Sequence, residues 1–351
     1  MLNRSLEIYK NTLGPTHPRV ASNLTHLVFY YHSTSQFDQA EIFYKESIEI
    51  CKIYFERSPS NLANNLISLA ALYNDKGEYE KAEPLYDQAL EILKTNLGPK
   101  HSSVGYVLNN MGRLYHNLED FIKAESLYHQ ALVIWENTLG AQHPNVAITL
   151  DNLAILYQFN KDYDKAKPLY ERALDFREKH IGPHHPDTAK TLNNLAALYT
   201  LLDDFAKAEP LFQKVLRIKT ETIGTENISY ANSLHNLALI YFKSENYETA
   251  ETLYNKAIDI WSGRLGPDHR NVSTGYGHLS QLFKEKGNVE NAYHYVYRSL
   301  EIDNQLINQV AGFTSERQKL QFLANNQLWG SLDSMCRSFK DKLHDSIALN
   351  I

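Results

Sequence analysis

The sequence is poor in the features that mark most function classes. Its 351 residues include 2 cysteines, Cys51 and Cys336, far apart and without a C-x-x-C pair or a Cys/His cluster. Neither a disulfide framework nor a zinc knuckle is indicated, and a reducing compartment is expected. Basic charge is not in excess: 35 Lys and Arg against 41 Asp and Glu give a net charge of −6, which argues against a phosphate-binding surface. No apolar run approaches the roughly 18 to 20 residues of a membrane span. The residues after Met1 lack the charged start and apolar core of a signal peptide. The expectation is a soluble, cytoplasmic chain with neither nucleic-acid nor membrane partners.

What the sequence has is a repeat. A chain of this length ordinarily forms two or three globular domains, unless one repeating unit extends a single core. Gly14, Gly98, Gly140, Gly182, Gly224 and Gly266 are spaced by 42 residues, or by 84 where Glu56 replaces the glycine. Around them recurs Leu/Ile-Gly-Pro-x-His-Pro, most complete at Leu13 to Pro18 and Ile181 to Pro186. The same interval separates Tyr31, Tyr73, Tyr115, Tyr157, Tyr199, Tyr241 and Phe283, and Ala40, Ala82, Ala124, Ala166, Ala208, Ala250 and Ala292. No insertion or deletion interrupts the register.

Two helices per unit explain the pattern. Leu192, Leu195, Ala196 and Tyr199 fall on one helical face; Phe205, Ala208, Leu211, Phe212 and Val215 fall on one face of the next segment, with the polar Asp203-Asp204 between. A small residue such as Ala208 lets two helix backbones approach to roughly 8 to 10 Å. In the linker, glycine takes a left-handed conformation that closes a helix, the following proline cannot continue it, and the second proline fits the first turn of the next helix. The predicted architecture is all-α: a right-handed superhelical solenoid of antiparallel helix pairs over residues 1–310. Seven full hairpins start near His17, Pro59, His101, His143, His185, Asn227 and His269. Met1 to Leu13 align with a second helix, so the chain opens halfway through an eighth unit, as a shortened gene product would.

Stretches such as Thr191 to Tyr199 and Ala82 to Leu90, joined by Leu-Gly-Pro-x-His-Pro, resemble the 42-residue tetratricopeptide repeats of kinesin light chain and its bacterial relatives. The resemblance implies a scaffold that binds a protein or peptide segment along the concave face lined by first helices. One position before the core leucine stand His26, Ser68, Asn110, Asn152, Asn194, Asn236 and His278. An asparagine offers both a donor and an acceptor, so a row of them suits the backbone of an extended peptide. In kinesin light chain-like repeats, asparagines at this place contact cargo, and the resemblance implies the same for Asn110, Asn152, Asn194 and Asn236; the alternative is that they tie neighbouring helices together. On the same stripe lie Tyr106, Arg113, Lys190, Asn232 and Lys243. Arg113 and Lys190 either receive acidic groups of a ligand or are simply solvated.

No catalytic residue, cofactor or metal site is expected. The linker histidines recur 42 residues apart, too far to converge on one metal. His184 and His185 are read as helix caps. Cys51 falls where the next units have Leu93 and Trp135, which makes it a packing residue. Past Asn308 the period stops, and Leu332, Met335, Phe339 and Leu343 suggest a helix in 311–351 that caps the stack. The stretch Asn308 to Leu323 is also similar to the segment that joins repeats to a caspase-like protease in bacterial tetratricopeptide proteins with a CHAT domain. That resemblance implies a regulatory half with such a protease domain as partner.

Overall fold

A computed structural model describes residues 2–33, 36–54, 56 and 59–311 of the chain. The predicted cap in 311–351 beyond its first residue, and all but the first residues of the CHAT-like stretch, lie outside the described residues. Those described form fifteen helices and no strand. The opening helix α1 (Leu2–Leu13) is a second helix, as its alignment predicts. Seven hairpins follow, taken here as repeats 1 to 7: α2 (Pro18–Ser33) with α3 (Phe37–Ile53), α4 (Pro59–Asp75) with α5 (Tyr79–Leu97), α6 (Ser102–Asn117) with α7 (Phe121–Leu139), α8 (Pro144–Phe159) with α9 (Tyr163–His180), α10 (Pro186–Leu201) with α11 (Phe205–Thr222), α12 (Ile228–Lys243) with α13 (Tyr247–Leu265), and α14 (Arg270–Glu285) with α15 (Val289–Ala311). The helices gather into two compact units, Met1–Pro183 and His184 onward.

Each hairpin is punctuated by local chemistry. Five of the first helices begin on a histidine cap. The amides of Arg19, Ser103, Asn145, Asp187 and Asn271 donate to Nδ1 of His17, His101, His143, His185 and His269 at 3.1–3.2 Å, and Asn227 does the same through Oδ1 at 2.8 Å. Each satisfies a donor the helix start leaves orphaned. Pro144 and Pro186 sit in the first turn, as predicted. First helices end on a left-handed residue: Gly77, Glu119, Lys161, Asp203, Glu245 and Gly287 have φ between 54° and 73°. The residue after it caps the second helix, where Asp120, Asp162 and Asp204 accept from the amides of Lys123, Lys165 and Lys207. The predicted polar turn at Asp203-Asp204 thus divides into one closing and one opening residue.

The linker glycines correct one expectation. Gly98, Gly140 and Gly266 have φ of 88°, 87° and 94°, but ψ of 154° to 155°. This is the extended mirror-image region that only glycine tolerates, rather than the left-handed helical one.

Packing follows the periodic small and aromatic residues. Ala82, Ala124, Ala166, Ala208 and Ala250 are fully buried, as are Tyr86, Tyr128, Tyr170, Phe212 and Tyr254. Each such ring contributes roughly 1.5–3 kcal/mol by leaving water. The fit is tight at Gly112 and Gly105, where a Cβ would stand 2.7 Å from the Tyr128 ring and 2.7 Å from Nε1 of Trp135. A periodic hydrogen bond that the sequence did not announce ties second helices to the next first helix. Tyr73 donates to Glu41 at 2.9 Å, Tyr157 to Glu125 at 2.6 Å, Tyr241 to Glu209 at 2.7 Å, and Tyr115 to Glu83. In α9 the same place holds Lys167. A lysine lies over the ring in Tyr73/Lys81, Tyr115/Lys123 and Tyr157/Lys165, a cation–π contact worth about 0.5–1 kcal/mol where exposed.

Candidate binding faces of the first helices

Within each unit the first helices touch one another directly, α4 with α6 and α6 with α8 in one, α10 with α12 in the other. Their period of 3.6 residues therefore places every fourth or third side chain on a shared face. The sequence-predicted stripe is divided by the two units: Tyr106, Asn110, Arg113 and Asn152 stand in one, Lys190, Asn194, Asn232, Asn236 and Lys243 in the other. The four asparagines are half-buried, Tyr106 and Asn232 exposed.

Several of these side chains already have partners inside the protein. Asn110 donates to the Tyr106 carbonyl one turn back at 2.8 Å. Asn152 donates to Oδ1 of Asn109 at 3.1 Å, and Thr149 donates to the same oxygen at 3.2 Å, so Asn152 ties α8 to α6. Asn232 accepts from Trp261 Nε1 at 2.9 Å. Arg113 pairs with Asp75 at 3.2 Å, Lys190 with Asp187 at 2.8 Å and Lys243 with Asp203 at 3.7 Å. These ion pairs are solvent-exposed and hold their partners weakly, whereas the bonds of Asn152 and Asn232 are architectural.

The residue one place before the stripe was missed, and it does much of the tying. Asn109, Asn193 and His235 share one place in the 42-residue period. Asn193 accepts from Ser233 at 3.2 Å, linking α10 to α12. His235 Nε2 lies 3.0 Å from His278 Nδ1, linking α12 to α14. His278, the stripe's last member, stacks on Tyr254 with ring centroids 5.5 Å apart, and His235 packs against Trp261 at 5.3 Å. Burial, with His278 beside it, pushes His235 down to about 3, and burial lowers His278 too. Both rings are therefore neutral at pH 7. The corresponding place in α8 holds Asp151, which forms a buried ion pair with Arg177 of α9. The periodicity that placed the missed column was visible in the sequence; the partners were not.

Among the described residues no group of three or more His, Cys, Asp or Glu side chains converges as a metal site would, and no helix is long and apolar enough to cross a membrane.

The family model for the tetratricopeptide repeat matches residues 1–53, 61–132, 103–179, 156–221 and 229–305. Among curated proteins none matches in sequence. Solved structures that resemble the chain include BtubC (BKLC) from P. vanneervenii, 22% identical with a TM-score of 0.59 over 66% of this chain and 92% of that one. A putative kinesin light chain from Podosopora anserina with nearly identical TPR-like repeats is 26% identical, with a TM-score of 0.51 over 59% of this chain and 98% of its own. The apo form of RapI is 16% identical, with a TM-score of 0.60 over 81% and 97%.

Proposed function

Because the chain belongs to the tetratricopeptide repeat family, we propose that it is a non-catalytic scaffold whose first-helix faces bind a protein or peptide segment. The observation that carries this reading is that first helices meet first helices within each unit and leave polar and aromatic side chains on the shared face. Tyr106 is 49% exposed there, with Ile148 at 43% and Ile155 at 38%. Such a face offers apolar area, amide donors and acceptors, and cations at Arg113, Lys190 and Lys243 whose exposed ion pairs open at little cost. The likeness to kinesin light chain repeats supports the same reading.

Asn110 and Asn194 are the residues to test: Asn110 bonds back along its own helix, whereas Asn152 and Asn232 tie one helix to another. Affinity capture from the native cell extract with the unaltered chain and with Asn110→Ala/Asn194→Ala, both checked for folding by circular dichroism, should lose a specific protein only in the variant. Every captured protein retained equally by both would sink the reading.

The sequence of Asn308 to Leu323 supports a second reading, a regulatory partner for a CHAT-type caspase-like protease. It predicts that such a protease is captured equally by both chains and is lost when residues 311–351 are removed.

A further inference from the structure

Repeats 1 and 2 leave a cavity of about 390 Å³ between α2, α3 and α4. One of its lining side chains breaks the period. At this place in the period the second helices carry Leu93, Trp135, Arg177, Lys219 and Trp261, each larger than the Cys51 that α3 presents. Trp135 and Trp261 fill the corresponding space and anchor their indole nitrogens, one on the Ser102 carbonyl and one on Asn232, both at 2.9 Å. Cys51 leaves it open.

The walls specify a chemistry. Asn61, Asn64 and Asn65 of α4 face Ser22 and Thr25 of α2, over an apolar floor that includes Ile50. Among the described residues no carboxylate, ammonium, guanidinium or imidazole lines the cavity, and burial keeps the Cys51 thiol protonated by raising its pKa. A charged ligand would lose its hydration there without gaining a counter-ion. Asn65 donates to the Asn61 carbonyl at 2.9 Å and to Cys51 Sγ at 3.5 Å, while its own Oδ1 is buried with no partner. An orphaned buried acceptor is costly, and the cost is removed when the Asn65 carboxamide turns toward a hydrogen-bond donor in the cavity. The volume falls in the range of roughly 300–1,000 Å³ typical of small-molecule sites.

We propose that this cavity binds a small, flat, uncharged molecule carrying an amide-like edge, one donor beside one acceptor, on an apolar body. Aryl carboxamides, lactams and nucleobases share that edge, which is the complement of an asparagine carboxamide. The site lies between repeats 1 and 2, apart from Asn110 and Asn194, so it stands or falls independently of the first-helix faces.

Benzamide is the probe, with benzoate as its charged counterpart and methyl benzoate as the counterpart without a donor. Ligand-observed saturation-transfer NMR on the full chain should show benzamide binding in the millimolar range, about what so few non-hydrogen atoms can reach. Both counterparts should bind about tenfold more weakly or worse. Cys51→Trp and Cys51→Leu, which place in α3 the residues found at Trp135 and Leu93, should abolish the signal. Alkylation of Cys51 by iodoacetamide, followed by peptide mass spectrometry in the unaltered chain, should slow when benzamide is present, a readout that needs no variant to fold. Absence of benzamide binding, benzoate binding as well as benzamide, an unchanged signal in both variants, or alkylation indifferent to benzamide would each overturn the proposal.

Discussion

Repeats 1 and 3 meet their neighbours at the same place in the period with opposite outcomes. In repeat 3, Trp135 lies against Gly105 so closely that a single added Cβ would collide, and its Nε1 is satisfied. In repeat 1, Cys51 leaves a cavity beside an asparagine oxygen that nothing satisfies. A repeat therefore fixes where a side chain points without fixing how full the space is. Fullness is set separately at each interface by the volumes of three helices, and an underfilled interface is where a ligand has room.

Making repeat 3 resemble repeat 1 is the most severe way to break this contrast. Trp135→Cys removes the ring that covers Gly105 and should cost about 3–5 kcal/mol of stability, measured by urea unfolding. Gly105 has no side chain to close the gap, so relaxation is limited. A loss under about 1 kcal/mol would mean that the interface collapses freely and that the cavity beside Cys51 is equally plastic.

Repeat 4 offers a third solution at the same place, Arg177, whose charge is met by Asp151 rather than by volume. Arg177→Leu leaves a buried carboxylate uncompensated and should cost about 3 kcal/mol. Adding Asp151→Asn gives repeat 4 the Asn109 and Leu93 seen at these two places elsewhere, and should recover most of the loss. Additive effects in the double variant would show that the two side chains do not act as a pair.

These cases mark how far the sequence could be read. The period, the helix pairs, the seven starts and the cap at His185 were legible because each depends on residues a few positions apart, whose chemistry is local, whereas His184, read as a cap too, meets Glu221 instead. The alanine and tyrosine columns were legible because two helices must approach closely wherever they recur. The partners of Asn152, Asn232 and Asp151 were not, since each lies on another helix, 43, 29 and 26 residues away. Cys51 was assigned correctly to a buried packing position, but the cavity beside it was not foreseen. Periodicity encodes direction, while a cavity is a difference between volumes that no single position carries.

The histidine pair sharpens the comparison through pH. His235 stands where Asn109 and Asn193 stand in other repeats, but only the imidazole titrates. Its pKa in the fold is about 3 against an ordinary value near 6.5. The folded state therefore binds its proton less readily than the unfolded chain. Its contribution is fully present above about pH 6.5 and declines as pH falls toward the folded value. At pH 5 the loss from this group alone is on the order of 2 kcal/mol. His235→Asn should flatten the stability profile between pH 7 and 5 in urea titrations, and an unchanged slope would show that the acid sensitivity arises elsewhere.

The smallest effect separates the ends of the array from its middle at the turn that closes each first helix. Gly77 and Gly287 occupy the left-handed position in repeats 2 and 7, while Glu119, Lys161, Asp203 and Glu245 occupy it between them at nearly the same φ. A side chain there costs roughly 1 kcal/mol of backbone strain, yet the bond from the Asp162 amide to the Tyr157 carbonyl, 2.8 Å, is as short as its counterpart from Glu78 to Tyr73. The strain is thus borne without loosening the turn. Lys161→Gly relieves it but frees the unfolded chain by a similar amount, so the net change should stay within about 0.5 kcal/mol. Gly77→Ala imposes the strain and should destabilise by about 0.5–1 kcal/mol after the entropic gain is deducted. If both substitutions destabilised equally, the middle turns would be held by their side chains rather than by the helices they join, and Lys161 would have to be counted among the residues that specify the fold.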